Sequence, residues 1–323
     1  MAVNPTGLSY TLVALLTILL IFSILQIIQT VHSLRREKAG EPTASRRSLV
    51  FLMTAVVSLA ISYAFDICLT LIAGSETPHP SPAYLAGFII SFFTGNGLAP
   101  SMLYASAVDI IDSRKDISGL RGKDAPSIRL GQPLKWTERF LLNALPVLIV
   151  VYLGTFSKAV LDTPVLARKY YAWLNMANGA YRAAIVVNAF LFQCVATRTI
   201  SFHLLSKSES IRDPIMYSSI LYHFIPSMFI RTVALFVFAP LASSFATAKT
   251  PASTMTILLA STFFVGLSTV AAAQSLLNAA RRPSSEWVPP RSAEERDEVI
   301  EGDAPGDPQD QRTTLEPRRD SAT

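Results

Sequence analysis

An all-α integral membrane bundle of seven transmembrane helices, with the N-terminus outside and the C-terminus cytosolic, is the architecture predicted by three observations on the sequence. Of 323 residues, 50% are hydrophobic and 16% charged, whereas a soluble domain carries about a quarter charged residues. The mean hydropathy is +0.38. Seven stretches approach the roughly 20 apolar residues that a bilayer-crossing helix requires. Lys and Arg crowd into alternate loops, so the formal charge of +5 reads as membrane topology and not as a nucleic-acid footprint. Two cysteines exclude a disulfide scaffold and a thiolate metal cluster.

The spans are expected over about 8–31, 49–73, 84–111, 140–157, 173–196, 215–240 and 254–279. The first follows Met1–Gly7, which has no Lys or Arg. Its apolar run exceeds a signal peptide's core, so it is read as a retained membrane helix. Fifteen Lys and Arg fall between spans one and two, three and four, and five and six, among them Arg35, Arg36, Arg114, Lys135, Arg139 and Arg198. The opposite side has Lys158, Arg168, Lys169 and Lys249. The positive-inside rule then sets the orientation. Trp136, Tyr170, Tyr171 and Trp173 suit the interfacial aromatic belts.

The remainder, 283–323, holds six prolines and eleven acidic residues. A segment so poor in apolar periodicity cannot offset its ordering entropy, and a disordered cytosolic tail is expected. The domain organisation is therefore a helical domain over 1–282 and a polar tail over 283–323.

Ionisable residues at membrane depth are costly, which makes each a candidate for function. Span two carries Asp66 on a ladder with Thr54, Ser58, Ser62 and Thr70. Span five carries Asn175, Asn178 and Arg182, with Gln193 on the same face. Span six carries Ser219, His223, Ser227 and Arg231 at intervals of four. Span three contains Gly95-Asn96-Gly97-Leu98-Ala99-Pro100, which disfavours a regular helix and frees backbone groups that hydrocarbon does not tolerate. One economical arrangement points Asp66, Asn96, Asn178, Arg182, His223 and Arg231 into a shared polar cavity in the outer half. Asp66 would be the catalytic acid, and the other five would bind substrate. Against this stand packing readings: Ser and Thr at spacing four commonly line close helix contacts, and an Asp–Arg pair can be a structural bridge.

His223 has no histidine partner within a span, so no metal site is expected, and no cofactor. Span seven lacks the lysine that a retinal Schiff base needs. No Asp-Arg-Tyr follows Asp109 or Asp112, and span seven has no Asn-Pro-x-x-Tyr, so seven spans alone do not make a receptor. Phosphate-cradling loops and nucleophile elbows are also missing.

Asn96-Gly97-Leu98-Ala99-Pro100-Ser101-Met102-Leu103 and Ile225-Pro226-Ser227-Met228-Phe229-Ile230-Arg231, with the span layout over about 8–280, resemble a family of fungal seven-span membrane proteins of unknown function. The resemblance implies a fungal source and a polar break in span three. A fainter similarity, in size, span number and tail, is to membrane-bound cyclases of fungal terpenoid pathways. The expected activity is accordingly on a hydrophobic small molecule, an isoprenoid, held in the bilayer of the endoplasmic reticulum or plasma membrane. Asp66 would act as proton donor, and Tyr63, Phe92, Phe93, Tyr222 and Phe229 would stabilise a travelling cation. An arginine beside Asp66 would hold it as a carboxylate and spoil that role. A receptor-like sensor and a lipid or metabolite exporter are the alternatives. No nucleic-acid partner is expected.

Overall fold

In the computed structural model, residues 5–38, 46–73, 81–117, 131–162, 167–208, 216–245 and 251–281 are described. They belong to one unit, Met1–Trp287. The expected boundary at 282/283 and the polar tail lie outside the described residues.

Seven helical rods follow one another. They are α1 (Pro5–Lys38), α2 (Arg46–Ala73), α3, α4 (Gly131–Asp162), α5 (Ala167–Ser208), α6 and α7. Three of them change pitch. The α3 rod is α-helical over Pro82–Phe92, π-helical over Phe93–Leu98 and α-helical again over Ala99–Ile117. The α6 rod opens π-helical over Met216–Phe224 and continues over Ile225–Phe245. The α7 rod runs Pro251–Ser261, turns π-helical over Thr262–Gly266 and ends over Leu267–Ala280. Among the described residues, seven helices are long and apolar enough to cross a membrane.

The core is apolar, but the later half of α1 buries polar residues and exposes apolar ones. On α1 the buried residues include Ser23, Gln26, Thr30 and Ser33, while Ile18, Ile21, Phe22, Leu25 and Ile28 are exposed. The polar set falls at i, i+3, i+7 and i+10, one helical face. Hydrocarbon outside would reward that arrangement, because there the polar groups must be satisfied internally. Ser23, Thr30 and Ser33 donate to carbonyls four residues back. Gln26 donates across to Val270 O (2.9 Å) and Gln274 Oε1 (3.3 Å). Gln274 in turn donates to Gln29 Oε1 and Asn278 Oδ1, and Arg281 Nε donates to Ser33 Oγ. A polar seam thus joins α1 to α7, which run parallel.

The rods α2 and α3, and α4 and α5, pair antiparallel. The pairs Ser62–Ser91 and Ser48–Ser106 link α2 to α3. Tyr152 meets Tyr181, and Glu138 meets Arg198, between α4 and α5. Ser33, Ser48, Ser106, Arg198 and Arg281 share one end of the bundle, the Arg281 end. Asp66, Ser91, Tyr152 and Tyr181 lie toward the other, where α3 starts. There the Ser81 hydroxyl caps the helix by accepting from Tyr84 N–H, with Pro82 at the first helical position.

The glycine-rich segment of span three is not broken. The π-helical turn carries the chain through it, and Ala99 N–H reaches Thr94 O. Widening the turn by one residue lets Pro100, which has no N–H, follow without ending the rod. Its glycines permit close approach. A Cβ on Gly95 would stand 2.4 Å from Ser62 Oγ, and one on Gly97 would stand 3.4 Å from Ile149 Cβ.

Candidate functional site

Among the described residues Arg231 is the largest fully buried side chain, 1% exposed. On α6, Met228, Arg231, Thr232 and Leu235 turn inward while Phe229, Ile230 and Val233 face out, the stripe expected at 3.6 residues per turn. The guanidinium donates from Nη1 to Asn188 Oδ1 at 2.7 Å. Asn188 is fixed by donating from Nδ2 to Thr232 Oγ1 at 3.2 Å, and Thr232 donates to Met228 O. Arg231 Nε, also buried, has no hydrogen-bond partner. Tyr63, Tyr104 and Tyr181 lie close enough to interact with the guanidinium electrostatically. Tyr63 donates to Gly266 O at 3.4 Å, and Tyr104 donates to Asn188 O at 3.5 Å, both at the weak end of the hydrogen-bond range.

Asp66 accepts from the Ser91 hydroxyl, which is also 3.3 Å from Ser62 Oγ. Tyr63, one turn away on α2, interacts electrostatically with both Asp66 and Arg231. Among the described residues Asp66 forms no ion pair. Arg231 turns to Asn188, and Arg182 is exposed.

A wall of aromatic rings adjoins these groups. Phe88 and Phe92 from α3 meet Tyr152 and Phe156 from α4 and Tyr181 from α5. Centroids are 4.8 Å apart for Phe92–Tyr152, 5.2 Å for Tyr152–Tyr181 and 5.5 Å for Phe92–Tyr181. Phe93 packs partly buried against the main core. Tyr222 and Phe229, expected in the lining, are instead 63% and 54% exposed.

The six candidate residues do not share one cavity. Asp66, Asn96 and Asn178 are half-buried and Arg231 is fully buried. Arg182 and His223 face outward. The polar set on α5 does lie on one face: Asn175, Arg182 and Gln193 are all exposed. The opposite face, with Ala177, Ala184, Asn188, Leu191, Val195, Arg198 and Phe202, points inward. On α6 the interval of four does not keep one face: Ser219 and Arg231 are buried while His223 is exposed, and the change from π-helical to α-helical pitch at Phe224 alters the angle per residue along the rod.

Near the Arg281 end a second buried arginine has carboxylate partners. Arg198 donates from Nε to Glu138 Oε1 at 2.7 Å and from Nη2 to Glu138 Oε2 at 2.5 Å, and from Nη1 to Asp112. The Arg198 and Glu138 side chains are 5% and 3% exposed, and that of Asp112 is 42% exposed. Glu138 and Asn188 were not singled out from sequence. Glu138 precedes the expected fourth span, in a run read as loop; its signal was an acid three residues from Lys135 and one from Arg139. Asn188 had only its place opposite Arg182 on the α5 wheel.

Among the described residues no three His, Cys, Asp or Glu side chains come together to hold a metal ion. No family model, curated protein or solved structure matches the chain.

Proposed function

We propose that this is a multi-pass membrane protein that binds and acts on a hydrophobic small molecule, an isoprenoid, in fungal specialised metabolism. It does so as a cyclase-like enzyme or as an accessory factor to one. Its Arg281 end faces the cytosol, where the positive-inside rule puts the fifteen clustered Lys and Arg, in the endoplasmic reticulum or plasma membrane. The observation that carries the reading is Asp66. It is a carboxyl within a long apolar helix, its hydrogen-bond donor is a serine hydroxyl, and among the described residues no arginine is bound to it. The objection that an adjacent cation would hold it as a carboxylate therefore does not apply.

In this reading Asp66 protonates an alkene carbon of the bound chain. The faces of Phe92, Tyr152 and Tyr181 stabilise the resulting cation as it migrates. Loss of a proton back to Asp66 closes the cycle.

The test is metabolite profiling of a gene-deleted strain, rescued with wild type or with Asp66→Asn. One product should vanish on deletion while a lipophilic precursor accumulates. Asp66→Asn should insert normally and fail to restore the product. An unchanged profile would remove the biosynthetic reading in favour of a receptor-like sensor or a lipid or metabolite exporter.

A further inference from the structure

We infer that Arg231 recognises an anionic head group, a carboxylate or a phosphate, on a lipophilic ligand held within the bundle. This deepens the reading above by naming the polar end of the ligand, and rests on it only for the ligand's isoprenoid body.

Elsewhere in this chain a buried arginine that ties helices together is given counter-charges. Arg198 is met by Glu138 on two nitrogens and by Asp112 on the third. Arg231 is more completely buried, yet its hydrogen bond goes to a neutral amide oxygen. A buried cation without a counter-charge costs several kcal/mol, and an apolar side chain of similar volume would fill the same space at no such cost. A purely structural role explains the burial but not the charge.

The nitrogens also divide in a specific way. Nη1 is committed to Asn188, and Asn188 is held in turn by Thr232. Nε, buried, is uncommitted. The Nε side of the guanidinium is one that a carboxylate or phosphate meets with parallel bonds. Around it, the Tyr63 and Tyr104 hydroxyls hold long bonds to carbonyl oxygens, 3.4 and 3.5 Å. Both are readily exchanged for a charged acceptor, since charge-assisted bonds are about twice as strong as neutral ones. Tyr181, within electrostatic range of the guanidinium, belongs to the ring wall. A ligand whose anionic end meets Arg231 therefore has an aromatic surface for its body along Phe92 and Tyr152.

The experiment measures binding to the purified full-length protein in lipid nanodiscs with two matched probe pairs. These are geranylgeranoic acid against geranylgeraniol, and palmitate against hexadecanol. The acid of at least one pair should bind about tenfold tighter than its alcohol, the scale of one charge-assisted hydrogen bond. Arg231→Gln should reduce that preference below about threefold, and Arg231→Lys, which keeps the charge but not the fork, should leave it in between. Ligand-free Arg231→Gln should melt no lower than wild type, which shows that the variant is folded.

Equal binding of acid and alcohol, failure of both acids to bind, or a preference that survives Arg231→Gln would each overturn the inference. Preference confined to palmitate would uphold the head-group assignment and remove the isoprenoid reading. Preference confined to the isoprenoid acid would support both.

Discussion

Two arginines at opposite halves of the bundle are treated in opposite ways. Arg198 has two carboxylates around it, from α3 and α4. Arg231 has an asparagine oxygen, three tyrosines and an unused Nε. Both sit on helices in the apolar interior, so desolvation penalises each, and what differs is the compensation. A compensated buried charge reads as a clamp between helices; an uncompensated one marks where something other than stability is being served.

Removing the compensation should have the largest effect. Glu138→Gln leaves the buried Arg198 with only the half-exposed Asp112, and should cost about 3–5 kcal/mol. Thermal melting of the detergent-solubilised protein would read this as a drop of many degrees, with Asp112→Asn milder. A Glu138→Gln protein as stable as wild type would erase the contrast between the two halves.

The next effect has the opposite sign. Arg231→Met removes a charge that no carboxylate among the described residues balances, and should raise stability by about 1–4 kcal/mol. The same melting assay would show Arg231 to be a structural tie if the variant melted well below wild type.

The smallest effect tests the contact between α2 and α3 beside Asp66. Alanine at Gly95 would drive the Ser62 hydroxyl away from Ser91, at a cost of about 1 kcal/mol. Ser62→Ala alone, which removes the same bond, should cost about as much, and the double variant little more than either single one. At Gly154, where an added Cβ meets nothing within 4 Å, alanine should change little. Equal penalties at the two glycines would refute the packing account of the π-helical turn.

The seven helices were legible because an apolar run of bilayer length leaves a chain little choice. Their ends were less so. The α4 helix starts at Gly131 and α5 continues to Ser208, since polar turns extend a helix beyond its apolar stretch without altering hydropathy. Asp66 and Arg231 were visible as ionisable residues among apolar ones. Which way a polar face points was not. Periodicity defines the stripe Asn175, Arg182 and Gln193 but says nothing of inside or outside, and the structure turns it out. Arg182 lies on the half of α5 nearer the start of that helix, and helical side chains lean toward the helix N-terminus. Its long stem can therefore lie along the surface toward the near end, an arrangement that needs no internal partner. The aromatic wall was likewise out of reach, since Phe92, Tyr152 and Tyr181 come from three helices and meet only once α4 and α5 have paired.

The seam between α1 and α7 ties together two helices that lie far apart in the sequence. The Gln26 carboxamide finds its donor contacts at Val270 and Gln274, more than 240 residues later in translation. A chain truncated before α7 would therefore leave the Gln26 amide without its Val270 and Gln274 acceptors, a cost that grows as its surroundings become more apolar.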